Sequence, residues 1–433
     1  MSKIEALSQL ENILSKYLNF EKTPKKDALW LKNMEILCDA LDNPQNFYKS
    51  FHVAGSKGKG SVSSFIASIL SESQFSTGIF TSPHVSDISE RVRDPFAVFD
   101  DAVYENALAN FCKIQDFIDN LEKNGGNKAT WFELFTIYSF LCFKHAHVDW
   151  AVFEVGLGGR LDSTNVILPE ACIITPIELE HTEFLGDTIE QVAFEKAGII
   201  KKGIPVFSAK QCVAVRKVFE KRAKEVGATI TFIDDENPFL QLFSQIDLVD
   251  LNLKGAIQKE NAKLAALVVK SIIPTIADEV ILAGLKKATI PCRFQIEKSA
   301  TKNITLVLDG CHTPNSLSLC LQTFYEEFGP QNELLFACAS DKDVMTMAKI
   351  INDSECNFSQ INITEPGGVK SGNFAKTTQA FETYCNSNLV ENKNYAQAIE
   401  CSIKNAEKNG KVLLCVGSFY LCAEVLKIID SID

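Results

Sequence analysis

Short apolar runs rich in β-branched residues alternate with longer amphipathic stretches along most of the 433 residues. Ser50–Ala54, Asp149–Val155, Ala171–Thr175, Ile204–Ser208 and Thr229–Ile233 read as strands, and Ile304–Leu308, Glu333–Cys338 and Lys411–Val416 form a later series. Thr130–His147, Thr188–Ile199, Asn261–Ile273 and Asn315–Phe328 carry the helical period between them. A strand that is apolar along its whole length needs cover on both faces. With helices alternating between such strands, parallel sheets of the α/β class are expected. The chain is too long for one ordinary core, so the two series predict two domains. The polar stretch Phe294–Lys302 is the expected junction, giving 1–296 and 297–433.

Within the first series, the segment from Phe51 to Ser61 reads F-H-V-A-G-S-K-G-K-G-S and runs into the helix-like Val62–Leu70. A strand, a glycine-rich turn and a helix start make an anion site. Glycines let the backbone come close, amides point at phosphate oxygens, and the helix end adds partial positive charge. Gly55, Ser56, Gly58, Lys59, Gly60 and Ser61 are therefore candidate nucleotide-binding residues. Lys59 would bridge the outer phosphates, and Ser61 would offer a hydroxyl and help cap the helix. Gly60 separates the lysine from the serine, so the position that commonly supplies a magnesium hydroxyl has no side chain. Metal ligands must then come from elsewhere.

Three segments could supply them. Thr81-Ser82-Pro83-His84 follows the strand-like Gly78–Phe80 and reads either as a simple turn or as a hydroxyl donor over the phosphates. Glu154 interrupts an apolar strand near its carboxyl end, where ligands collect in open α/β sheets. A carboxylate there needs a partner, either Mg2+ or a buried arginine. Glu178-Leu179-Glu180-His181 lies just beyond another strand end. Histidine is an uncommon magnesium ligand, so His181 alone reads as a polar core residue.

The remaining composition excludes several classes. The formal net charge of −12 argues against a general nucleic-acid binder, which needs a basic face. No run of about 18 apolar residues marks a membrane span. The acidic start, Met1-Ser2-Lys3-Ile4-Glu5, does not read as a signal peptide. The 14 cysteines are scattered with no C-x-x-C pair, so they read as reduced core residues of a cytoplasmic protein and not as a zinc site.

With the phosphate loop, Glu154 and His181 in place, the sequence resembles the folylpolyglutamate synthase/dihydrofolate synthase family, relatives of the Mur ligases. The resemblance runs from about Tyr17 to Val425. Matching stretches include His52–Ser61, Gly78–Arg91 (with its T-S-P-H and E-R pair), Glu154–Asn165, His181–Gly186 and Glu195–Lys201. Asn261–Leu267, Pro291–Gln295, Asp309–Asn315, Asp341–Asp343 and Gly417–Leu421 complete them. The family's T-N, D-G-A-H-N-P and P-G-R-F appear here as Ser56-Lys57, Asp309-Gly-Cys-His312-Thr313-Pro314 and Pro291-Cys292-Arg293-Phe294. Lys57 adds a cation beside the phosphates.

The resemblance implies an N-terminal P-loop ATPase-like parallel-sheet domain and a smaller C-terminal Rossmann-like α/β domain, with ATP at their cleft. It gives Ser82 and Glu154 to one Mg2+, and Glu154 and His181 to a second. Asn261, Arg293 and Asp309 match nucleotide-holding positions. Lys196 matches a lysine that carries a carbamate, and Thr130, Phe132 and Asp162 match a pterin site. The implied reaction joins L-glutamate to dihydropteroate, to a folate γ-carboxylate, or to both, through an acyl phosphate. Lys59, Lys196 and His312 are its expected catalytic groups. His312 reads alternatively as a helix-start cap before Asn315–Phe328. Lys196 falls on the apolar face of Thr188–Ile199 with Ile189, Val192 and Ala193, where a desolvated amine could take up carbon dioxide. Its other reading is a lysine that snorkels out or pairs with Glu195. The expected partners are ATP, glutamate and the folate or dihydropteroate acceptor, with neither nucleic acid nor membrane; a monomer is expected, although the sequence itself leaves the oligomeric state open. A GTP-dependent switch would want a Lys-Ser/Thr pair and an N-K-x-D motif, and neither occurs. A Mur-type ligase acting on a cell-wall nucleotide is the nearest alternative.

Overall fold

Strands buried at every position dominate the first half of the chain. The structure is a computed structural model that describes residues 2–19, 31–85, 87–236, 238–298, 303–368, 371–385 and 387–430. It divides into two units, Met1–Leu251 with Ile257–Ala288, and Asn252–Ala256 with Thr289–Asp433.

The first unit contains β1 (Lys49–Ala54), β2 (Thr77–Phe80), β3 (Val92–Arg93), β4 (Trp150–Glu154), β5 (Ala171–Ile174), β6 (Val206–Ser208) and β7 (Ile230–Phe232). Among the described residues they form one sheet in the order β3-β2-β4-β1-β5-β6-β7. The β2–β3 pair is antiparallel and the others are parallel. β2, β4 and β5 are buried along their whole length, as continuous apolar runs require. One core joins Phe80, Ala151 and Phe153 to Phe135, Tyr138, Phe140 and Phe143 of the helix Trp131–His145. Another joins Cys172 and Ile174 to Val192 of the helix Ile189–Ala197 and Phe219 of the helix Val213–Val226. The helix Lys59–Glu72 is held by the helix Asp278–Lys287, where Ser68 Oγ donates to Gly284 O at 2.5 Å.

The second unit contains β8 (Gln295–Lys298), β9 (Thr305–Leu308), β10 (Glu333–Phe336), β11 (Gln360–Ile363), β12 (Asn388–Glu391) and β13 (Leu413–Val416). Their order is β12-β11-β10-β13-β9-β8, parallel except for β8 against β9. The class is therefore α/β in both units. The chain enters the second unit at Thr289, ahead of the junction expected at 296/297. The reason is β8, which pairs with β9 and so belongs to the second sheet. Residues 299–302 of the expected junction lie outside the described residues.

Candidate active site

β1 lies between β4 and β5, while the chain that leaves it passes to β2 on the far side of β4. That reversal is a topological switch point, and the loops beyond the carboxyl ends of these strands are where an open α/β sheet holds a ligand. The loop after β1 is tightly built. A Cβ at Gly55 would fall 1.8 Å from Thr175 Oγ1, so no side chain fits there. Ser56 N donates to Pro176 O at 3.0 Å, and Ser56 Oγ bonds Glu178 O at 3.1 Å and Glu178 N at 3.0 Å. Gly58 sits at φ 84° as the N-cap of Lys59–Glu72 and offers no capping side chain. A Cβ there would lie 2.7 Å from Asn261 Oδ1, which places Asn261 of the helix Ala256–Ile272 directly against the loop. The first amides of the helix are thus left for an anion. Ser61, expected to help cap the helix, lies inside its first turn, because the left-handed Gly58 has already set the cap position.

Two ammonium groups converge on one carbonyl. Lys59 Nζ donates to Gly55 O at 3.1 Å and Lys196 Nζ donates to the same oxygen at 2.8 Å. Lys196 is only 2% exposed on the inner face of Ile189–Ala197, and it pairs with Glu180 Oε1 at 2.8 Å. Burial, helped by the charge on Lys59, brings its pKa down to about 8 against the opposing pull of Glu180. Burial pushes Glu180 upward, yet Lys196 and Lys59 hold its carboxyl below the usual range. Glu195, the partner considered from sequence, pairs with Arg160 at 2.9 Å instead.

Glu154 ends β4 beside Val53 of β1 and is 6% exposed. Ser82 N donates to Glu154 Oε2 at 3.4 Å, and a Cβ on Gly60 would lie 3.5 Å from the same oxygen. The missing side chain at Gly60 therefore opens onto a carboxylate. Carboxylate, hydroxyl and water are hard oxygen donors, so Glu154 and Ser82 fit Mg2+. His181 lies on the loop after β5 at φ 47°, next to Glu180, and is exposed, so it is not the core residue that its sequence position alone suggested. Glu154 and His181 thus mark the loops on either side of the phosphate loop.

Thr130, Phe132 and Asp162 also belong to this unit. Thr130 caps Trp131–His145: its Oγ1 accepts from Glu133 N at 3.3 Å, and Glu133 Oε2 accepts from Thr130 N at 2.7 Å and Thr130 Oγ1 at 2.9 Å. Burial raises Glu133 to about 7, with the Thr130 bonds opposing. Phe132 and Asp162 meet over Gly156, where a Cβ would lie 2.5 Å from Phe132 Cζ and 3.2 Å from Asp162 Oδ2. Asp162 Oδ2 accepts from Leu157 N at 2.8 Å, and Oδ1 accepts from Thr164 N at 3.0 Å and Thr164 Oγ1 at 2.5 Å. His52 Nε2 is 2.8 Å from Thr164 Oγ1. That hydroxyl already donates to Asp162, so His52 carries its hydrogen on Nε2. Burial, together with nearby Lys201, keeps the imidazole well below its ordinary pKa. His52 and Thr164 had no sequence assignment; a histidine inside an apolar strand was the available signal. Arg91, the buried arginine of the E-R pair, donates from Nε to His84 Nδ1 at 2.7 Å and lies over the rings of Trp131 (5.0 Å) and Phe135 (5.9 Å).

In the second unit Asp309 braces two turns. Its Oδ2 accepts from Phe294 N at 2.9 Å and its Oδ1 from Cys311 N at 2.8 Å. Burial raises its pKa, opposed by Arg293. The Arg293 guanidinium lies 5.0 Å from the Phe419 ring centre, and the His312 ring lies 5.8 Å from it at an edge-on angle. His312 Nδ1 donates to Gly310 O at 2.8 Å. The helix Pro314–Phe328 is capped by Thr313 with Ser316, so His312 is not its cap. Cys292 takes a left-handed φ of 54° where the family pattern has glycine.

Residues 53–269 match the Mur ligase middle domain family. The dihydrofolate synthase/folylpolyglutamate synthase of Bacillus subtilis is 30% identical, over 92% of this chain and 94% of its own. A folylpolyglutamate synthase from Thermotoga maritima superposes with a TM-score of 0.82 at 24% identity, covering 99% of this chain and 98% of that one. One from Mycobacterium tuberculosis, solved with ADP and AMPPCP, gives 0.80 at 24% identity, with 99% of each chain covered. With this fold and this match along both units, the chain belongs to the folylpolyglutamate synthase/dihydrofolate synthase family of the Mur ligases.

Proposed function

We propose that the chain joins L-glutamate to a folate-type carboxylate, consuming ATP through an acyl phosphate. The observation that carries this reading is the convergence of Lys59 and Lys196 on Gly55 O, at the uncapped start of a helix on a phosphate loop. Lys59 and a row of free amides suit a polyphosphate, with Lys196 beside them as the amine open to modification.

A carboxylate is a poor electrophile. Its oxygen attacks the γ-phosphorus, ADP leaves, and the acyl phosphate carries a leaving group. The glutamate nitrogen then attacks the carbonyl carbon, phosphate departs, and the amine loses a proton. The first step calls on positioning and charge neutralisation by Lys59 and the loop amides. Asn261 holds the loop at Gly58, and Glu154, Ser82 and His181 are the proposed ligands of Mg2+. The metal supplies neutralisation of phosphate charge when bound. Within the second unit, Asp309, Arg293 and His312 are that unit's proposed contribution to holding the nucleotide and the acyl phosphate.

Lys196 is the proposed carbamate. An amine brought down to about 8 is partly neutral near pH 7 and can react with carbon dioxide. The resulting anion would exchange the ion pair to Glu180 for the positive charge of Lys59 and a metal ion. Dihydropteroate is proposed as an acceptor beside reduced folates, with Phe132 and Asp162 over Gly156 lining the pterin site. The Bacillus relative carries both activities in its name. ADP formed per glutamate incorporated tests the reading: equal amounts with dihydropteroate or tetrahydrofolate are expected. ADP formation driven by a UDP-sugar peptide and not by either pteridine would overturn it.

A further inference from the structure

Two of the cysteines scattered in sequence meet in space. Cys311 follows Asp309 on the loop leaving β9, and Cys320 lies on the buried side of the helix Pro314–Phe328. A carboxylate oxygen of Asp309 and the sulfurs of Cys311 and Cys320 all lie within 4.8 Å of one another. The two cysteines are 2% and 6% exposed. The two thiols and the carboxylate therefore already face one another.

We propose that Asp309, Cys311 and Cys320 form a binding site for a thiophilic divalent cation of the Zn2+ or Cd2+ class. Tetrahedral sites with metal–sulfur bonds of about 2.3 Å and metal–oxygen bonds of about 2.0 Å hold their donors roughly 3.5–3.8 Å apart. The three donors, now within 4.8 Å of one another, would close to that spacing around the ion. Two sulfurs and one oxygen select a borderline-soft cation over Mg2+, whose preferred donors are all oxygen. Each Asp309 oxygen already accepts one backbone N–H and keeps a second lone pair for a metal. Binding releases both thiol protons, leaving two thiolates and a carboxylate around a doubly charged ion. The residual negative charge is met by Arg293, which already interacts with Asp309. Cys311 stands where the resembled family often has alanine. Because Asp309 also braces the Arg293 turn, an occupied site would alter that turn.

The test is a Cd2+ titration of the full chain in Mg2+ buffer, read by the ultraviolet thiolate-to-metal charge-transfer band. It uses a background in which the exposed Cys212 and Cys401 are replaced by serine. The expected result is a band saturating at one equivalent, abolished by excess Zn2+. Cys311→Ala, which installs the family's residue, should lose the band, and so should Cys320→Ser. Cooperative thermal melting establishes that each variant is folded. A band that survives either substitution at full size in a folded protein, or no saturable band in the parent, overturns the site. The readout is independent of turnover, so failure of the ligase reading leaves it intact.

Discussion

Gly55 O receives two ammonium groups, and the two lysines make different predictions because one is half-open and the other is enclosed. Lys59 stands on the loop at the helix start, so Lys59→Ala should melt at the parent temperature while ligation falls by about 10²–10³-fold, the usual cost of losing one charge-stabilising contact. Near-parental turnover in the folded variant would remove Lys59 from the site. Glu154→Gln should lose activity and require more Mg2+ for what remains, since a neutral amide is a poor substitute for a hard anionic ligand. An unchanged Mg2+ titration counts against it. Lys196→Ala should be inactive and partly rescued by a short carboxylic acid that stands in for the carbamate. The residue types were legible because glycines and lysine at fixed spacing have few other uses. Their partners were not: Glu195 is adjacent to Lys196 in sequence but turns around the helix to Arg160, while Glu180 reaches Lys196 only through the fold.

Helix starts are fixed by reciprocal side-chain caps. The Thr130–Glu133 capping box fixes the first turn of Trp131–His145, and Thr130→Ala should cost about 0.5–2 kcal/mol by chemical denaturation. Glu133 adds a pH dependence. Its folded pKa, about 7, lies above the ordinary 4.5. The native state therefore binds the extra proton between those values. The stability this contributes is fully present below about pH 4.5 and lost as pH rises through about 7. Glu133→Gln keeps a reciprocal cap but has no proton to lose. Its melting temperature should gain on the parent's as pH is raised from about 5 to about 8; parallel curves would show that Glu133 does not titrate there. At this scale the buried strands were readable as unbroken apolar runs, and the helices as periodic ones. β8, β11 and β12 were not, because Q-I-E-K, Q-I-N-I and N-L-V-E mix polar and apolar residues on short strands, of which β8 and β12 are partly exposed. Pairing with neighbours, and not composition, makes them strands.

For the whole molecule, the two series of strands foretold two α/β units, and the Bacillus relative matches along 92% of the chain. Acceptor choice should therefore be tested on the full chain. Phe132 offers an aromatic edge and Asp162 a carboxylate over Gly156. Asp162 is fixed by Leu157 N and Thr164, and Thr164 by His52 on β1. In the proposed pterin site the aromatic ring would meet the pteridine face and the acid would accept from its ring N–H donors. That ring is common to dihydropteroate and folate, whereas the glutamyl tail is not. Recognition through the ring predicts that dihydropteroate and tetrahydrofolate are both glutamylated by the parent. Asp162→Ala should raise KM for dihydropteroate more than for tetrahydrofolate, because dihydropteroate has no glutamyl tail to make up the loss. Product analysis by mass, with each acceptor supplied separately, decides it. Glutamylation of tetrahydrofolate with no product from dihydropteroate would show that the tail, and not the ring, is what the protein reads.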